Sequence, residues 1–342
     1  MSQVPARAIW NFWAWLASTS GLGSKTVRTV RDFLAQHSMD AEALVAVPPS
    51  DRMRLLAGLP AWLRGALVNI PTLTGTRRKQ FENPLRAKNI RAVLEGEEDY
   101  PWRLAASLED DAPFYLFCSG DLARLRDRLT IAMVGTRHPS PEGVVTARRY
   151  AKALSECGIE IVSGYARGID TASHTGALQA GGDTTLVLAE GLAQFSPRKD
   201  IEHYRHASGL LMLSEFPLTA RWRSGFAVRR NRSIVALSDG VIVVETGLRG
   251  GTAYAVRATN ELKRPLFAVQ YKHPGPYGAG NASLLASGAH ALEPDPAKIS
   301  DGVERIVAML RANRDRLLSE KASDKTKPLV QQLDFTKRET PR

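Results

Sequence analysis

The stretch LTIAMVGTRHPS, residues 129–140, decides how the rest of the chain is read. Leu129 to Val134 form an apolar run of strand character, Gly135 opens a turn, and Ser140-Pro141 marks the start of a helix. A strand that passes through a Gly-containing turn into a helix N-terminus is the usual build of an anion site. Backbone N–H groups around Gly135, Thr136 and Ser140 are therefore expected to face a phosphate, with the Arg137 guanidinium as a second, bidentate donor.

Outward from this unit the same pattern recurs. Strands are expected at 129–134, 159–163, 184–189, 210–214, 240–245, 266–269 and 290–292, after an earlier one at 114–118. Helical periodicity falls at 142–157, 169–180, 228–237, 252–262 and 282–287. Apolar strands alternating with helices predict an α/β fold, a mostly parallel Rossmann-like sheet with helices on both faces.

Residues 1–95 read as a small all-helical N-terminal domain, with segments at 8–18, 24–37, 41–47, 49–69 and 77–94. The α/β domain is assigned to 96–317. A polar, charged tail over 318–342 is expected to be mobile. The Ser20-Gly21-Leu22-Gly23-Ser24-Lys25 turn resembles the hairpin of helix-hairpin-helix modules, which offer N–H groups to DNA phosphates; so short a pattern reads more simply as a connection that needs positive φ. Gln332–Phe335 partly resembles peptides that dock on the bacterial sliding clamp, a match too short to carry weight.

The chain has 342 residues, a formal net charge of +11 and a pI near 9.8, which points to a polyanionic partner. Cys118 and Cys157 form no metal-ligand pattern, as expected of reduced thiols in a cytoplasmic protein. The aromatic N-terminus around Trp13 is too short to span a bilayer, and Ile9, Trp13 and Leu16 share one helical face that fits a core.

Two absences narrow the chemistry. The first loop has no G-x-G-x-x-G, and the second strand ends in Ser163-Gly164 without an acid to hold a ribose, which argues against a dinucleotide enzyme. No G-x-x-x-x-G-K-[ST] occurs. The second loop, with Ser163, Gly164, Arg167 and Gly168, adds donors on the same sheet edge. Asp170 and His174 read as a helix cap and a packed ring, because no nucleophile or metal partner accompanies them.

Arg221–Arg232, RWRSGFAVRRNR, is the strongest chemical signal. Arg221, Arg223, Arg229, Arg230 and Arg232 alternate with Trp222 and Phe226, and no acid lies between Phe216 and Ser238. Arginine forks beside aromatic faces suit single-stranded nucleic acid, where each stacked base is worth roughly 1–3 kcal/mol.

Taken as a set, these residues resemble the DNA processing protein A (DprA/Smf) family. The carriers are Tyr100-Pro101, Val134-Gly135-Thr136-Arg137 with Ser140 and Gly143, Ser163-Gly164-x-Ala166-x-Gly168-Ile169-Asp170, and His174-x-Gly176-Ala177-Leu178. Ser214-Glu215, Arg230-Asn231-Arg232, Val243-Val244-Glu245 and Gly280-Asn281-x-x-Leu284-x-x-x-Gly288-Ala289 continue the match. The resemblance implies a homodimeric single-stranded-DNA-binding protein that acts in natural transformation and helps load a RecA-type recombinase, without catalysis, metal or cofactor. Its DNA pocket would map onto Arg137, Arg223, Phe226 and Arg230-Asn231-Arg232.

The chain departs from the family at Arg249–Ala255 (RGGTAYA), at the long 270–278 segment, and in showing no winged-helix signal after Leu292. The alternative is a nucleotide-sensing or nucleotide-hydrolysing protein of the same superfamily. Hydrolysis would need a glutamate where this chain has Ala255.

Overall fold

The computed structural model describes residues 12–13, 15–16, 24–68, 83, 85, 87–273, 275 and 278–325. The expected Ser20–Gly23 turn and the Gln332–Phe335 motif lie outside them. A nine-stranded sheet organises the chain: β1 (Arg91–Leu94), β2 (Tyr115–Ser119), β3 (Thr130–Val134), β4 (Glu160–Ser163), β5 (Thr184–Leu188), β6 (Leu210–Ser214), β7 (Gly240–Val243), β8 (Leu266–Val269) and β9 (His290–Leu292). Its order is β1-β2-β6-β5-β4-β3-β7-β8-β9. β1 and β2 run antiparallel, and the seven later strands run parallel to one another.

Every residue of β3 through β7 is buried, as strands covered on both faces require. One face carries the apolar cluster of Ala132, Val134, Leu211, Val235 and Val243, the other that of Ile131, Met133, Tyr150, Ile161 and Phe267. The chain winds from β3 towards β6 on one side and from β7 to β9 on the other. The β3/β7 boundary is therefore the topological switch point, where a crevice opens beyond the strand C-termini.

The helix Pro141–Glu156 follows β3 with Pro141 at its first position and Ser140 as cap, the Ser140 hydroxyl accepting from the Gly143 N–H at 2.9 Å. It ends where the Gly158 and Ile159 N–H groups bond back to the Ser155 and Leu154 carbonyls. The α/β architecture is the one the sequence analysis reached.

Three elements differ from expectation. The helix foreseen to Leu94 gives way at Arg91 to β1, because Ala92 and Val93 pair with Phe117 and Leu116 across the sheet and are buried there. A helix at Ile299–Lys325 runs past Leu317, its Ile306 and Leu310 buried against the sheet and Asn313 donating to the Asp239 carbonyl at 2.9 Å. The helix expected at 228–237 starts earlier, as Ser224–Ala236.

The N-terminal helices share one apolar cluster with the sheet through Phe114, Phe117, Leu186 and Met212. Arg28 of the helix Ser24–Gln36 adds a polar tie, with Nε 2.7 Å from Glu95 Oε2 and Nη2 2.7 Å from the Ala112 carbonyl. Among the described residues no helix is long and apolar enough to cross a membrane.

Candidate nucleic-acid interface

The loops after β3, β4, β5 and β7 meet beyond the strand C-termini and enclose a two-lobed trough. The larger lobe, about 410 Å³, lies between Gly135–His138, the helix Ser224–Ala236 and the Thr246–Thr252 loop. The smaller, about 280 Å³, lies between Gly164–Arg167, Leu188–Glu190 and Phe195–Arg198. Arg137, Ala166, Trp222 and Arg230 line both.

The first loop departs from the phosphate-cradle expectation. Its helix N-terminus already holds an anion: the Glu245 carboxylate, 2% exposed, accepts from the Ser140 N–H at 2.8 Å and from the Ser140 hydroxyl at 3.2 Å. Gly143 allows this approach, since a Cβ there would lie 2.1 Å from Glu245 Oε2. The Thr136 N–H donates to the Glu245 carbonyl at 2.7 Å. The donors expected of Thr136 and Ser140 are thus used within the fold, and a carboxylate occupies the position where a positive helix end would attract an external phosphate. Arg137 remains. It is exposed, and no ion pair holds it among the described residues.

The second loop is also turned partly inward. Ser163 is buried and donates to the Met133 carbonyl at 2.6 Å. Gly164 makes room for Arg230, whose guanidinium would lie 2.3 Å from a Cβ at that position. The Ile169 N–H bonds the Thr136 carbonyl at 3.2 Å, locking the first two loops together beside Gly168. Arg167 is exposed and lines the smaller lobe.

Asp170 is not the helix cap. Gly168 occupies that position, and the Asp170 carboxylate reaches back to accept from the Ala166 N–H at 3.2 Å. Burial pushes the Asp170 carboxyl above its ordinary range, and the Arg230 charge opposes that shift. His174 packs rather than reacts: its Nδ1 lies 2.7 Å from Thr184 Oγ1, which itself donates to the Ile161 carbonyl, while Nε2 has no partner. Burial pushes its pKa down to about 3, so the ring is neutral near pH 7.

The arginine cluster separates because the helix expected from 228 already starts at Ser224, with the Phe226 and Ala227 N–H groups bonding the Arg223 carbonyl. On a helix, neighbouring side chains point about 100° apart. Arg230, 4% exposed, points under the sheet edge and donates to the Gly164 and Val187 carbonyls. Burial disfavours its charge, Asp170 and Glu215 sustain it, and nearby Arg137 adds to the repulsion. A phosphate arriving between the two arginines would relieve that repulsion.

Arg229 pairs with buried Glu215 at 2.8 Å, and Arg232 with Asp111 at 2.9 Å. Asp111 also lies 3.7 Å from Lys25, so Arg232 faces the N-terminal helices rather than the trough. Asn231 lines the larger lobe and donates to the Gly251 carbonyl at 3.1 Å. Arg221 and Arg223 are exposed, and the Arg223 guanidinium sits 5.7 Å from the centre of the Phe226 ring. Phe226 in turn stacks on buried Phe216, with centroids 4.1 Å apart and planes 10° apart.

Three lining residues were not among the sequence candidates. Trp222 was noted only for its place in the arginine run, Arg249 only as a departure beside Gly250, and Arg198 lies in a loop without any motif. Arg198 lies 3.8 Å from the centre of the Tyr165 ring and donates to the Tyr165 carbonyl at 3.2 Å. Arg249 is exposed at the rim of the larger lobe.

Residues 91–304 match the family model of DNA recombination-mediator protein A. Protein Smf of Escherichia coli is 36% identical over 239 residues, covering 66% of this chain and 61% of that protein. The chain thus spans less than two thirds of that relative's length. DNA processing protein DprA of Bacillus subtilis is 33% identical over 208 residues, covering 60% and 69% of the two chains. Among solved structures, DprA of Streptococcus pneumoniae superposes with a TM-score of 0.65 at 25% identity, over 83% of this chain and 94% of that one. The Helicobacter pylori protein, solved for its unique single-stranded DNA binding mode, gives a TM-score of 0.54 at 25% identity, over 64% and 96% of the two chains. The match over 91–304, from β1 through β9 and the loops that bound the trough, makes this chain a member of the DNA recombination-mediator protein A (DprA/Smf) family.

Proposed function

We propose that this chain binds single-stranded DNA in the trough around Arg137, with little sequence preference, and mediates recombination without catalysing a reaction. The observation that carries the reading is that Arg137, Arg167 and Arg249 line one continuous trough at the switch point and have no ion pair among the described residues. Exposed Trp222 lines both lobes of the same trough. Cations left unpaired at the edge of a rigid sheet are available to phosphates at no cost of breaking internal bridges. The single-stranded DNA binding mode of the Helicobacter pylori relative supports the same assignment.

The site offers little to a hydrolase. Asp170 is the carboxylate lining the larger lobe; it accepts from the Ala166 N–H and feels the charge of Arg230. Ala255, at the position where a glutamate would assist cleavage, is buried. Loading of a RecA-type recombinase and assembly as a homodimer belong to the same proposal.

The test is fluorescence anisotropy with a labelled oligo-dT against a duplex of equal length. Tight binding of the single strand, lost in Arg137→Glu, supports the reading. Equal affinity for duplex, or no binding at low salt, contradicts it.

A further inference from the structure

Resting on that reading, we propose that Trp222, rather than Phe226, is the side chain on which a DNA base stacks in the trough. Base stacking needs an aromatic face open to solvent. Phe226 does not offer a fully open one: one face lies on Phe216, 4.1 Å away and nearly parallel, and the Arg223 guanidinium stands 5.7 Å from its centre. Its role is to support Arg223.

Trp222 is the opposite case. It is 50% exposed, and no hydrogen bond, cation or ring contact engages its indole among the described residues. Its open indole face borders the cationic trough, where a base can reach it.

Its position adds the second argument. Trp222 lines both lobes, as do Arg137 and Arg230. A base resting on the indole would leave the phosphate on one side near Arg137 and Arg249, and the phosphate on the other near Arg167 and Arg198. The unit recognised is therefore a nucleoside flanked by two phosphates, an internal nucleotide of a strand, and the stacking accepts any base.

Anisotropy titrations at one fixed salt concentration, with oligo-dT and with an abasic oligomer of equal length and charge, test this. Wild type is expected to bind oligo-dT at least about tenfold more tightly than the abasic strand, as one stacked base allows. Trp222→Ala is expected to lose about that factor on oligo-dT, to bind the abasic strand as wild type does, and to keep the wild-type circular dichroism. Trp222→Phe, which retains an aromatic face, is expected to keep most of the affinity while losing the quenching of indole emission that DNA produces in wild type. Wild-type affinity in Trp222→Ala, or a loss equally large on the abasic strand, overturns the assignment while leaving DNA binding in place. Failure of wild type to bind oligo-dT overturns both readings.

Discussion

The Glu245 carboxylate lies 2.8 Å from the Ser140 N–H, at the N-terminus of the helix Pro141–Glu156. The position that attracts a ligand phosphate in many strand–turn–helix units is filled here by a side chain two residues beyond the C-terminus of β7. This is a structural use of the helix dipole, and it also pins the turn that presents Arg137. Gly143→Ala is expected to destabilise the fold by roughly 1–3 kcal/mol, because the Cβ displaces Glu245 and leaves the Ser140 N–H without its acceptor. Urea denaturation measures it; an unchanged midpoint would mean that the carboxylate has an equivalent place to go.

Arg230 and Asp170 are both buried, and they sustain each other's charge. Arg230→Ala leaves a buried carboxylate without its counter-charge and two carbonyls without donors, a loss on the order of 3–5 kcal/mol. Adding Asp170→Asn is expected to recover part of it. Denaturant midpoints of the single and double variants test this, and strictly additive losses would refute the coupling. Arg230 shapes the trough floor, so weakened DNA binding in Arg230→Ala has to be read together with its stability.

Arg232 and Arg137 should behave differently although both lie in family motifs. Arg232 is held by Asp111 on the side of the N-terminal helices. Both partners are substantially exposed, so the pair contributes at most about 1 kcal/mol. Arg232→Ala is expected to leave affinity for oligo-dT within about twofold, whereas Arg137→Ala weakens it several-fold. Equal losses in the two variants would place the DNA on a different face.

Glu190 is the acid lining the smaller lobe. Burial pushes its carboxyl above the ordinary range, with Lys88 opposing. Its ionised form repels phosphates, so lowering the pH from neutral towards its raised pKa neutralises it and should tighten DNA binding. Glu190→Gln is expected to bind more tightly than wild type at neutral pH and to flatten the acid-side rise. An unchanged pH profile in that variant would assign the rise to another group.

The strands from β3 to β9 could be read from sequence to within a residue or two, because most of them are predominantly apolar runs, as burial on both faces favours. β1 could not: Arg91–Leu94 becomes a strand only through its pairing with β2, a tertiary contact. Arg137 was legible because its loop follows a strand directly. The arginine run misled in part, since nearness along the chain was read as nearness in space. Once Ser224–Ala236 is helical, Arg229 and Arg232 turn to Glu215 and Asp111, acids that lie outside the run. Glu245 filling the helix end could not be foreseen either, because its partner Ser140 is distant in sequence and joins it only across the β3/β7 pairing.

The central claim, that phosphates of a single strand lie against Arg137, is tested most directly by a salt series. Oligo-dT affinity is measured from low to physiological salt for wild type and Arg137→Ala, and the logarithm of the binding constant is plotted against that of the salt concentration. Each phosphate contact on a single strand contributes roughly 0.7 to the slope through counterion release. Arg137→Ala is expected to bind more weakly at low salt, with a slope shallower by about that amount. Two superimposable lines would contradict the assignment.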